Sequence, residues 1–77
     1  MGILELTARN KYGEEIKTSC ALSTTYQEII FDYKGRSHTL KYKQNAMTNY
    51  FILNNLRWHF KVYDAINNKW VLDNMYL

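Results

Sequence analysis

Hydrophobic and polar residues alternate in two runs near the start of the chain, on either side of a turn signal. Asn10 opens the segment Asn-Lys-Tyr-Gly, and Gly13 stands where a three-residue hairpin loop with a bulge needs a left-handed residue. Pairing Asn10 with Glu14, Arg9 with Glu15 and Leu4 with Cys20 sorts the two runs into one apolar and one polar face. The apolar face carries Leu4, Leu6, Ala8, Ile16, Cys20 and Leu22, and the polar face carries Glu5, Thr7, Arg9, Glu15, Lys17 and Ser19. A slip of one residue would mix the faces, so the pattern predicts a first β-hairpin in this register.

A second pair of alternating runs surrounds the segment Lys34-Gly35-Arg36-Ser37. Gly35 suits the first central position of a type II′ turn, which requires a positive φ, and Lys34 would then pair with Ser37. This register places Phe31 opposite Leu40. The apolar face would contain Ile29, Phe31, Tyr33, Leu40 and Tyr42, and the polar face Glu28, Asp32, Thr39, Lys41 and Lys43, with Ile30 as the one misfit.

A third hairpin is predicted from Trp58 to Leu77, and it is apolar on both sides. A type I′ turn at Asn67-Asn68 would pair Ile66 with Lys69. One face would then carry Tyr63, Ala65, Trp70 and Leu72, and the other Trp58, Phe60, Val62, Val71, Met75 and Leu77. Such a ribbon needs cover on both sides, so it is either central to the fold or half of an oligomer interface.

The segment from Asn45 to Leu56 is compatible with two structures. Asn45 could cap a short helix carrying Met47, Tyr50, Phe51 and Leu53. Alternatively, the run from Phe51 to Leu56 could be a strand that reaches a second Asn-Asn turn. Short apolar runs do not distinguish these structures by periodicity.

The pattern as a whole predicts a mainly β fold in a single domain spanning residues 1–77. Three consecutive antiparallel hairpins would form a small barrel or a two-layer sandwich, and a helix near residues 45–56 would instead make a small α+β fold. Since 47% of the 77 residues are hydrophobic, folding is expected. The single cysteine rules out an intramolecular disulfide, so a chain this short is expected to gain stability by self-association.

Charge and targeting signals restrict the environment of the chain more than its function. The first residues show no basic start followed by an apolar run, which argues against a secretory signal, and one unpaired cysteine suits a reducing cytoplasm. A formal net charge of +3 permits a polyanionic partner without requiring one. The absence of proline and the abundance of Asn, Lys, Tyr and Ile are typical of AT-rich genomes, including those of many phages.

No catalytic or metal site is predicted. Cys20 with His38 or His59 is the only conceivable nucleophile and base pair, but the predicted register turns Cys20 toward the core, where a thiol is inert. These three residues match no zinc-binding spacing, and no cofactor motif occurs. The chain is therefore not expected to be an enzyme.

Two binding functions remain, and the sequence favours the first. The first is a non-catalytic protein-binding module that self-associates; the composition favours a phage or mobile-element accessory protein that inhibits a host or defence enzyme. Its contact residues would be Trp58, Phe60, Tyr63, Trp70, Met75 and Tyr76. The alternative is a small β-barrel that binds single-stranded nucleic acid through Arg36, Lys41, Lys43, Arg57 and Lys61. The predicted second hairpin weighs against this alternative because it places the tyrosines and the lysines on opposite faces.

Overall fold

The protein folds as one antiparallel β-sheet. A computed structural model describes residues 4–44 and 48–72, and those residues contain eight strands and no helix. The strands are β1 (Leu4–Arg9), β2 (Glu15–Ser23), β3 (Glu28–Tyr33), β4 (Arg36–Lys41), β5 (Lys43–Gln44), β6 (Asn49–Leu53), β7 (Leu56–Asp64) and β8 (Lys69–Leu72). The predicted mainly β class is confirmed.

The sheet curls into a half-barrel in which β7 pairs with three other strands. The strand order is β4-β3-β2-β1-β7-β6-β5, and β8 pairs with β7 beyond the end of β6. One edge of β7 is therefore covered by β1, while the other edge is shared between β6 and β8. The curl brings β4 close to β6, although no ladder of paired residues joins these two strands in the part that the structure describes.

The first hairpin has the predicted register, with Leu4 opposite Cys20 and Arg9 opposite Glu15. Gly13 has the expected left-handed conformation, with φ of 81°. The Asn10 side chain, which is buried, holds the turn: its Oδ1 accepts hydrogen bonds from the backbone N–H of Tyr12 (2.9 Å) and of Glu14 (3.1 Å). An asparagine amide can thus replace backbone partners inside a tight loop.

The predicted register of the second hairpin is wrong by two residues. Tyr33 pairs with Arg36, and Phe31 pairs with His38 rather than Leu40. Lys34 and Gly35 both have positive φ, at 54° and 75°, so the turn is type I′ and only two residues long. This turn matches the twist of the flanking strands, which offsets the cost of a left-handed lysine. Since the shift is an even number of residues, the predicted faces are unchanged.

Residues 49–56 form a strand and a turn, so a helix is wrong for this part of the segment. β6 ends at Leu53, and Asn54 and Asn55, with φ of 54° and 61°, make a type I′ turn into β7. The Trp58 indole N–H donates to the carbonyl of Leu53 at 3.2 Å and braces this turn. Asn45, the predicted helix cap, and Met47 lie outside the described residues.

The register of the hairpin between β7 and β8 also differs from the prediction. Asp64, not Ile66, pairs with Lys69, because the Asp64 carboxylate accepts hydrogen bonds from the backbone N–H of Ile66 (3.0 Å) and of Asn67 (3.1 Å). A register shift after Tyr63–Trp70 then brings Leu72 opposite Val62. This irregularity makes Leu72 buried, on the opposite face from the one predicted.

The inner face of the curled sheet holds the core. Phe51 lies between Phe31 and Phe60, with ring centroids 5.3 and 5.4 Å away, and Tyr42 meets Phe60 edge-on at 5.2 Å. These contacts join β3 to β6 and β7 across the half-barrel. The buried apolar residues are Leu6, Ala8, Ile16, Ile29, Phe31, Tyr42, Phe51, Leu53, Trp58, Phe60, Val62 and Leu72.

Candidate functional site

The outer face of β5 to β8 combines cationic and aromatic side chains. Because side chains alternate along a strand, the residues of β7 between the buried Trp58, Phe60 and Val62 point outward. Residues that are paired across neighbouring strands point to the same side of the sheet, so outward residues of β5, β6 and β8 lie beside those of β7. We call this surface the basic-aromatic face, and it consists of Lys43, Tyr50, Arg57, His59, Lys61, Tyr63 and Trp70.

Each of two cations on β7 lies over an aromatic ring. The Arg57 guanidinium is 4.5 Å from the Tyr50 ring centroid, and the Lys61 ammonium is 4.7 Å from the Trp70 ring centroid. Tyr63 meets Trp70 edge-on at 4.8 Å. Cation–π contacts of this kind orient a flexible cation and leave the rest of its charge facing solvent.

The basic-aromatic face carries no carboxylate of its own. Within β5 to β8 the one acidic residue is Asp64, which falls on the inner alternation of β7, and hydrogen bonds from Asn67 lower the pKa of Asp64. The nearest outward carboxylate is Glu5 on β1, which is opposite Tyr63. Within the described ranges, neither Arg57 nor Lys61 is within ion-pair distance of an acid. No ion pair among the described residues therefore neutralises the charge of Arg57 or Lys61.

His59 stands between the two cations of β7. Burial and then the nearby charge of Arg57 lower its pKa below the usual value of 6.5, so the ring is neutral at pH 7. Its Nδ1 is 2.9 Å from the hydroxyl of Thr48, and the ring is inclined at 53° to that of Tyr50, with centroids 6.2 Å apart. At neutral pH this imidazole contributes a polar, stackable ring rather than a charge.

A shallow groove continues this surface across β1 and β2. Its volume is about 390 Å³, and its lining is Glu5, Leu6, Thr7, Lys17, Thr18 and Ser19. Register places Glu5 beside Tyr63 and Thr7 beside Lys61. The Tyr63 hydroxyl donates to Asn68 Oδ1 at 2.7 Å, which draws the ring toward the β7–β8 loop.

The structure brings together three of the five predicted nucleic-acid contacts. Lys43, Arg57 and Lys61 lie on the basic-aromatic face, whereas Arg36 and Lys41 lie at opposite ends of β4, the far edge strand. Sequence reasoning missed Tyr50 and His59 as members of this site. The sequence does show alternating outward residues from Arg57 to Tyr63 after the Asn54-Asn55 turn. This alternation identifies Tyr50 as a neighbour of His59 only if residues 49–53 form a strand.

The structure separates the predicted protein-contact residues. Trp58 and Phe60 are only 3% and 0% exposed, so they belong to the core and offer no surface to a partner. Tyr63 and Trp70 are on the outer face, and Trp70 is 46% exposed. Met75 and Tyr76 lie outside the described residues.

Cys20 has the environment of a structural thiol. It is partly buried against the core, and this burial raises the pKa of the thiol to about 11. A thiol with so high a pKa carries almost no nucleophilic thiolate at neutral pH. Over residues 4–44 and 48–72, no group of three His, Cys, Asp or Glu residues converges in a way that could hold a metal ion.

Comparisons of the chain with protein-family models, with curated proteins and with solved structures found no significant match. The described part of the chain also contains no helix of the length and apolarity needed to cross a membrane.

Proposed function

We propose that the chain is a non-catalytic module that binds single-stranded nucleic acid on the basic-aromatic face. The observation that carries this proposal is that Arg57 and Lys61 share a carboxylate-free face with Tyr50, Tyr63 and Trp70. Proteins bind single strands by stacking bases on aromatic rings while cations follow the phosphates. Outward residues of β7 recur about every 6.8 Å, so the cations form a line along which a flexible strand can lie.

The position of the aromatic rings supports this function over the one that the sequence favours. In the predicted second hairpin the tyrosines and the lysines lie on opposite faces, which weighs against nucleic-acid binding. That separation holds for Tyr33 and Tyr42 on the inner face, but on β6 to β8 the rings and cations share the outer face. Lysine is also depleted from protein interfaces, which makes the charge of this face more typical of a polyanion site.

A binding titration at several salt concentrations tests the proposal. Fluorescence anisotropy of labelled single-stranded DNA and RNA of about 12 nucleotides, a length within the usual range of site sizes, should rise on addition of the protein at low salt. The affinity should fall as salt is added, and Trp70→Ala should weaken it about 5- to 150-fold through loss of one stacked base. Absence of binding at low salt would refute the proposal.

A second function, protein contact through the tip of the β7–β8 hairpin, is favoured by the exposed apolar residues there. Ile66, Trp70 and Val71 are 62%, 46% and 38% exposed. We propose that this tip supports self-association or contact with a partner protein. Such a contact is compatible with the prediction of an inhibitory accessory protein that acts in the cytoplasm. Exposed apolar side chains grouped at one place are a usual feature of contact surfaces.

Solution mass measured by light scattering over a range of protein concentrations tests this second function. Self-association should appear as a mass above 9.2 kDa that returns to the monomer value in Trp70→Ser. Tyr12→Ser is the matched control, because Tyr12 is 68% exposed and has Lys11 over its ring at 5.2 Å but lies in the β1–β2 loop. A monomer at every concentration would remove self-association, and identical behaviour of the two variants would remove the hairpin tip as the contact.

A further inference from the structure

The groove beside the basic-aromatic face is lined mainly by polar side chains, as expected on the outward face of a half-buried sheet. Glu5 and Lys17, of opposite charge, both line it, and Thr7 and Ser19 add hydroxyls to the same lining. In the register of β1 and β2, Glu5 is opposite Ser19 and Thr7 is opposite Lys17, so acceptor and donor are on different strands and two residues apart. The groove thus presents a carboxylate and an ammonium at separate points.

Neither charged group of the groove is fully engaged elsewhere. Glu5 makes no hydrogen bond or ion pair with any described residue. Lys17 lies 3.7 Å from Glu15, a long contact for a side chain that is 70% exposed, and Glu15 is held more closely by Arg9 at 2.7 Å. Glu5 therefore retains its full accepting capacity, and Lys17 retains N–H donors that Glu15 does not use.

The groove is placed to receive a base from a strand bound along β7. Tyr63 and Lys61, which belong to the basic-aromatic face, are directly opposite Glu5 and Thr7 across the β7–β1 pair. Adjacent strands are about 4.8 Å apart, so the groove begins within one strand width of the proposed phosphate line. A base turned away from that line toward β1 and β2 enters the groove edge first.

An ionised carboxylate only accepts hydrogen bonds, and an ammonium only donates them. Cytosine offers a matching edge, because its exocyclic amine donates and its ring nitrogen and carbonyl accept; glutamate accepting from this amine is a recurrent pairing. Uracil and thymine present a carbonyl oxygen where cytosine has the amine. That oxygen would face the carboxylate of Glu5 with no proton between them.

We propose that this groove is a base-discriminating subsite that accepts cytosine and rejects uracil and thymine, with Glu5 as the residue that distinguishes them. Lys17 donates to the acceptor side of the base, and Thr7 and Ser19 complete the polar lining. This inference rests on the proposed nucleic-acid function and assigns it a preference. The preference arises by hydrogen bonding at one carboxylate rather than by shape.

The test compares oligo(C) with oligo(U) of equal length in anisotropy titrations at pH 7.5 and fixed salt. Wild-type protein should bind oligo(C) at least about fivefold more tightly, the lower end of the range for one well-paired base. Glu5→Gln should reduce this ratio toward one, because the amide can also donate to the uracil carbonyl. Most of the change should be a gain in oligo(U) affinity, which a general loss of folding cannot produce.

Glu28→Gln is the matched control, because it removes the same charge from β3, away from the groove. Its ratio of oligo(C) to oligo(U) affinity should equal that of the wild type. Equal wild-type affinities for the two oligonucleotides, or a ratio that Glu5→Gln leaves unchanged, would overturn the subsite while leaving the nucleic-acid function standing. Failure of the wild type to bind either oligonucleotide at low salt would instead overturn the proposed function.

Discussion

Removing the two cations that lie along β7 should change the salt dependence of binding by a calculable amount. Binding to a single strand releases about 0.7 counterion for each phosphate neutralised. Three formally charged side chains, Lys43, Arg57 and Lys61, lie on the basic-aromatic face, so the logarithm of affinity should fall with the logarithm of salt at a slope of about −2. A tenfold rise in salt then weakens binding about 100-fold.

In the double variant Arg57→Gln/Lys61→Gln, one charged contact remains. The slope should become about −0.7, and the variant should bind more weakly than the wild type at low salt. The assay is the same anisotropy titration, performed between low and moderate ionic strength with each variant shown to be folded by circular dichroism. The lost cation–π contacts lie on the outer face and outside the buried core, so the fold should tolerate the change.

The double variant Lys11→Gln/Lys34→Gln is the control. It removes the same net charge, and both lysines also lie over tyrosine rings, at 5.2 Å, but in the hairpin loops rather than on the basic-aromatic face. Its slope should match that of the wild type. An equal loss of slope in the two double variants would show that binding follows net charge alone, and the assignment of this face would be refuted.

Three further predictions concern the core, the thiol and the pH dependence of stability. Phe60→Ala should lower the free energy of unfolding by about 3–5 kcal/mol, because it removes a fully buried ring from the core of the half-barrel. Urea unfolding would measure this loss of stability. A loss below about 1 kcal/mol, well under the usual range, would contradict the packing of Phe60. Burial raises the pKa of the Cys20 thiol from 9.0 to about 11, so the thiolate at pH 8 is about 100-fold scarcer than in the unfolded chain. Cys20 should therefore react with a thiol reagent about 100-fold more slowly in the folded protein than in the unfolded chain. Equal rates would contradict the burial of Cys20. The lowered pKa of His59 means that its neutral form is favoured in the folded state. The contribution of His59 to stability is therefore present above pH 6.5 and is lost as the pH falls through the lower pKa that His59 has in the folded state. His59→Gln should flatten this pH dependence of the free energy of unfolding. An unchanged pH profile would contradict a lowered pKa for His59.

Hairpin registers were predictable where a local signal was unique. Asn10 and Gly13 together specify one loop length, and the register that follows from them is correct at every pair. The predicted register of the second hairpin was wrong by two residues, because the sequence does not show that Lys34 adopts a left-handed conformation beside Gly35. Since the error was even, the division into inner and outer residues survived.

The candidate site was less predictable than the fold because it depends on pairings that are distant in sequence. Whether Tyr50 faces the same way as Arg57 depends on residues 49–53 being a strand, and periodicity did not decide this point. The pairing of Trp70 with Tyr63 depends on the hydrogen bonds that Asp64 accepts from Ile66 and Asn67, which the Asn67-Asn68 turn signal did not reveal. The predicted face of Trp70 was nevertheless correct, because the register error at this pair is an even number of residues. The sequence shows that cationic and aromatic residues are present, but only the order and pairing of the strands place them on one face.

Mapping of the bound strand onto the protein tests the central claim most directly. In ¹H–¹⁵N correlation spectra recorded during titration with a single-stranded oligonucleotide at low salt, the largest shifts should fall on the amides of Arg57, His59 and Lys61 and on the indole N–H of Trp70. The amides of Arg36 and Lys41, on the opposite edge strand, should move little. Shifts concentrated on β4, or spectra unchanged by the oligonucleotide, would contradict the assignment of nucleic-acid binding to the basic-aromatic face.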